Sequence, residues 1–89
     1  MEKTIKLILL TNNEKLISEI DEVPADIGEP NCKLINPLEM WEINGTRPYL
    51  RPWMKDDTDQ TEFMISSDKI ITITDPNSDL LEKYLEQNS

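Results

Sequence analysis

Histidine is absent from this chain, and cysteine and glycine are scarce, with one Cys and two Gly in 89 residues. Without histidine, one chain cannot assemble a Ser-His-Asp triad, a Cys-His dyad or a histidine zinc site. Cys32 stands alone, so no intramolecular disulfide forms, and a single free thiol suits a reducing compartment. No glycine-rich phosphate loop is present. Asp57-x-Asp59 lacks the glycine and the distal glutamate of a calcium loop, which leaves a solvated acidic loop as the expectation. These absences together predict no enzyme activity, no cofactor and no metal. Bases are also few: nine against eighteen acids, a net charge of −9. A field of that sign repels phosphate and membrane surfaces, so any nucleic-acid contact needs a local basic patch. Long apolar runs are missing too. Leu7-Ile8-Leu9-Leu10 is too short for a signal peptide or a membrane span, and a cytoplasmic protein without a membrane partner is expected.

What remains is a small β-rich chain. At 89 residues it makes one domain with a marginal core, and with no disulfide or metal the common remaining support is oligomerisation. Ile5 to Leu10 reads as a strand buried on both faces, or on one face with a neighbour over the other. Asn12-Asn13 suits a two-residue hairpin turn, and Glu14 to Val23 is the return strand. Pro24 to Asn31 is a loop. A third strand runs from about Cys32 to Ile43, with a bulge or bend expected at Asn36-Pro37, because proline cannot donate to a central ladder. Asn44-Gly45 is a hairpin signal that leads into an irregular β-extension over Thr46 to Leu50. Thr61 to Ile65 and Lys69 to Thr74 are the last strands. Asp75 is a helix cap with Pro76 at the first position, and Leu80, Leu81, Tyr84 and Leu85 form an apolar stripe at helical spacing.

Two segments carry a resemblance. Leu9 to Ile20 is an apolar strand, a polar turn and a strand with a small residue, Ser18, at its centre. Phe63 to Ile73 is a strand, the polar turn Ser66-Ser67-Asp68-Lys69 and a second strand. Together they resemble the two sequence motifs of the Sm and Sm-like (LSm) family. Over nearly the whole chain the sequence is similar to small Sm-like proteins of marine cyanophages. The resemblance implies a small, strongly bent five-stranded Sm-like barrel over about residues 3–74 with a C-terminal helix over about 76–87, in one domain spanning 1–89. It also implies a homo-oligomeric ring closed by edge-strand pairing and, for a phage protein, a place in the host cytoplasm. The chain departs from the family at three points. Ser66-Ser67 replaces the usual Arg-Gly, Ser18 replaces a glycine, and the helix follows the strands instead of preceding them.

In function the resemblance implies an RNA-binding, chaperone-like regulator holding short single-stranded RNA. Asn31, Ser67 and Lys69 would face the pore. Arg47, Tyr49, Arg51, Trp53 and Lys55 alternate bases with aromatics, the pattern that single-stranded nucleic acid stacks on, and Arg47, Arg51 and Trp53 form a second candidate surface. The same run reads more simply as a β-extension whose aromatics pack on a neighbour and whose bases pair with the following acids. The alternative function is an acidic scaffold or assembly ring that binds other proteins and no RNA.

Overall fold

The computed structural model describes residues 4–41 and 49–87. The Asn44-Gly45 signal and Arg47 lie outside the described residues. Among the described residues six strands and one α-helix are present: β1 (Ile5–Leu10), β2 (Lys15–Glu22), β3 (Cys32–Trp41), β4 (Tyr49–Pro52), β5 (Glu62–Ile65), β6 (Ile70–Thr74) and α1 (Ser78–Gln87). A short 3-10 helix, Ser67–Lys69, joins β5 to β6. The sheet is antiparallel in the order β4-β3-β2-β1-β6, with β5 also paired to β3. Where five strands closing a barrel are expected, six form a sheet in which β5 and β6 do not pair among the described residues.

β3 explains the shape. Ile17 faces Leu38 and Glu19 faces Ile35, so Asn36 and Pro37 together stand opposite Ser18. The extra residue is a β-bulge, with Asn36 at a φ of 52°, a conformation asparagine tolerates better than most residues. It splits the strand's outer edge between two partners. Leu34 pairs with Phe63 of β5 and Met40 with Leu50 of β4. It also exchanges faces, because an odd residue turns every later side chain over. Leu34 packs with Ile8, Leu10 and Leu16, and with Trp53, Phe63 and Ile70 around them. Leu38 packs on the other face with Ile17, Leu50, Leu80 and Tyr84. The sheet is thus apolar on both faces, and β2, with Leu16, Ile17 and Ser18 at 0% exposure, is its most deeply buried strand.

α1 covers one face. Its cap is Asn77, whose side chain accepts from the Leu80 amide at 2.8 Å, while Asp75 instead pairs with Lys6 of β1. The helix therefore begins two residues later than Pro76 suggests, because Lys6 holds the nearer carboxylate. Leu80 and Tyr84 are buried and Leu85 is exposed. The Tyr84 hydroxyl accepts from the Glu19 amide and donates to the Ile35 carbonyl, each at 3.1 Å. It thereby occupies the backbone groups beside the bulge. At the far end Gln87 Nε2 donates to the Leu50 carbonyl of β4 at 3.1 Å. The first hairpin also differs from a two-residue turn. The Leu10 amide donates to the Glu14 carbonyl, so the loop is Thr11 to Asn13, with Asn13 at a φ of 69°.

Candidate functional site

The segment 66–70 brings together three of the six site residues singled out from the sequence. Ser66 caps the 3-10 helix, its side chain accepting from the Asp68 amide at 3.3 Å. Serine and aspartate suit such a turn because their side chains satisfy backbone amides locally. The turn is pinned on both flanks. The Thr11 amide donates to the Lys69 carbonyl at 2.9 Å. On the other side Asn31 clasps Ser67, accepting from the Ser67 amide at 2.8 Å and donating to its hydroxyl at 3.1 Å. Asn31 is itself held by its carbonyl, which accepts from the Val23 amide at 3.0 Å. Asn31, Ser67 and Lys69 therefore converge although the first is far from the others in sequence.

Two grooves flank this turn. One of about 380 Å³ runs past Thr11, Asn12, Trp53, Met64, Ser66 and Lys69. Lys69 is exposed and makes no ion pair among the described residues. The other, of about 580 Å³, follows the outer edge of β6 and is lined by Glu22, Asn31, Cys32, Ser67 and Ile70 to Ile73. Ile73 is 45% exposed although its register partner is the fully buried Ile8. The inner face of the sheet is thus uncovered where β6 ends it. Across the turn Met64 of β5 is 51% exposed.

Charge divides the grooves. Lys69 supplies a cation to the first, while Glu22 brings an acid to the second, so a phosphate fits the first and an uncharged ring the second. Burial, and secondarily the charge of Glu22, raise the Cys32 thiol above its ordinary pKa. It stays protonated and is no nucleophile at neutral pH.

Arg51 and Trp53, the two described residues of the second candidate surface, both have partners within the chain, as the β-extension reading has them. Arg51 donates to Asp56 at 2.9 Å, and its Nε lies 2.9 Å from Glu39 Oε1 in a close but poorly aligned contact. The hydrogen bond to Asp56 leads in raising the guanidinium pKa further. Trp53 is half-buried, its ring edge-on to Phe63 at 5.2 Å and its Nε1 donating to Glu14 at 3.0 Å. What Trp53 retains is one wall of the groove that holds Lys69. Thr11, Asn12 and Met64 join that groove without any signal in sequence, since each reads as an ordinary hairpin or strand residue. Among the described residues no cluster of acids, cysteine or histidine is placed to hold a metal ion, and no helix is long and apolar enough to cross a membrane.

No curated protein matches this sequence. One family model does, over residues 3–89: a family of unknown function, DUF6561.

Proposed function

The chain belongs to that family of unknown function, and from its geometry we propose a Sm-like protein that assembles head to tail into a ring and holds short single-stranded RNA at the 66–70 turn. The observation that carries the proposal is the position of the Asn31–Ser67 clasp and of Lys69 between two open strand edges. β5 of one copy pairs with β6 of the next, covering Met64, Ile71 and Ile73, which are 51%, 56% and 45% exposed. The two edges are different surfaces, so the contact is heterologous and forms a ring if the rotation closes. The third edge strand, β4, has its Leu50 carbonyl taken by Gln87, which leaves β5 and β6 as the adhesive edges. Each added copy extends the sheet across the contact and brings another Lys69 to the ring of turns. Phosphates lie against Lys69 and a base sits beside Asn31 and Ser67. Neither role uses a nucleophile or a titrating pair, so the protein binds without catalysing.

Native mass spectrometry tests assembly, and a monomer at micromolar concentration refutes it. Titration with short U-rich and A-rich RNA across salt concentrations tests binding. The log-log slope should be about one per phosphate contact, and Lys69→Ala should remove most of it. The pairing of Arg51 with Glu39 and Asp56 favours a second reading, an acidic assembly ring for protein partners. A ring that binds no RNA at low salt decides for it.

A further inference from the structure

Because β4 and β5 share the outer edge of β3 but stop on either side of the bulge, a gap is left between them. That gap is a recess of about 190 Å³, walled by Pro37, Pro52, Trp53 and Phe63, with Asn36 and Gln60 among its polar edges. We propose that it receives a lysine or arginine side chain from a basic partner protein.

Size sets the class of ligand. Sites for drug-sized molecules span roughly 300–1,000 Å³, so this recess admits one long side chain. The walls are preorganised. The Trp53 amide donates to the Pro37 carbonyl at 2.9 Å and its indole N–H to Glu14 at 3.0 Å. Phe63 meets it at an interplanar angle of 62°. A fixed indole next to a second ring suits a cation above an aliphatic stem. Charge selects the same ligand. No charged residue lines the recess, so nothing in it would hold a phosphate. The loop that leads into Gln60 carries Asp57 and Asp59, which are exposed and form no ion pair among the described residues. Asp56 and Glu62, by contrast, are spent on Arg51 and Lys33. With a net charge of −9, the field of the whole molecule draws cations.

The test uses the whole chain and two ten-residue peptides. One carries lysine at every third position, and the other carries norleucine there, with the same stem and no charge. Binding is followed by NMR at the Trp53 indole N–H and the Gln60 and Thr61 amides. The lysine peptide should shift these signals and bind about tenfold tighter than the norleucine peptide. Asp57→Asn with Asp59→Asn, both on the surface and harmless to folding, should weaken it by a similar factor and flatten its salt dependence. Equal binding of the two peptides, no loss in the double variant, or shifts confined to the 66–70 turn would each overturn the proposal. The outcome does not depend on whether RNA binds elsewhere.

Discussion

The Tyr84 hydroxyl ties the helix to the two central strands of the sheet. Tyr84 is 2% exposed, and its two hydrogen bonds reach the backbone on both strands at the bulge. Tyr84→Phe leaves the Glu19 amide without its side-chain partner and should cost about 1–3 kcal/mol in urea unfolding. The same group sets an alkaline limit. Burial, ahead of the opposing backbone hydrogen bond, raises the Tyr84 pKa above its ordinary value. The folded state therefore keeps a proton that the unfolded chain releases. That stability is whole below about pH 10, the ordinary tyrosine value, and drains away as pH rises through the higher folded pKa. Urea midpoints followed from about pH 8 to about pH 11, a range that spans the ordinary tyrosine value, should fall more steeply in wild type than in Tyr84→Phe. Met54 offers the opposite change. It sits at a φ of 59° and is exposed, so its side chain contributes strain and little packing. Met54→Gly should raise stability by about 0.5–1 kcal/mol, the relief of strain offset by a freer unfolded chain.

Among the elements, β5 and β6 are the edges through which the proposed ring would assemble. Ile73→Lys sets a charge at an uncovered edge position, a known defence against strand pairing. It should leave the circular dichroism spectrum unchanged and shift the native mass spectrum to monomer. Most elements were legible in the sequence. Ile5 to Leu10 needs no context to become a strand, and proline inside an otherwise regular strand marks the bulge at Asn36-Pro37. The boundaries were less so, because distant partners set them. Lys6 draws Asp75 away from the helix it would have capped, and Asn77 takes over. Of the candidate site, the turn and its lysine were visible as local chemistry. The pairing of Arg51 with an acid that follows it was legible as well, but Glu39 and Glu14 were not, since alternating bases and aromatics look alike whether their partners are bases of RNA or distant carboxylates.

At the scale of the whole molecule, charge opposes compactness. A net charge of −9 on 89 residues repels itself over the roughly 30 Å screening length of 0.01 M salt and far less over the roughly 8 Å of 0.15 M. Sodium chloride in that range should therefore raise the melting temperature. About 1 kcal/mol gained corresponds to roughly 4–8 °C for a domain of this size, measurable by calorimetry. If copies assemble, the melting temperature should also rise with protein concentration, which separates association from screening. The odd residue in β3 has a further consequence, for heredity. Loss of the codon for Asn36 would leave every side chain of β3 from Pro37 onward in its place in the chain but on the opposite side of the sheet. Leu38 and Met40 would turn away from the helix, and Glu39 toward it. The loop between Val23 and Asn31 can gain or lose residues with neither face disturbed. A change of length should therefore be tolerated between β2 and β3 and not inside β3.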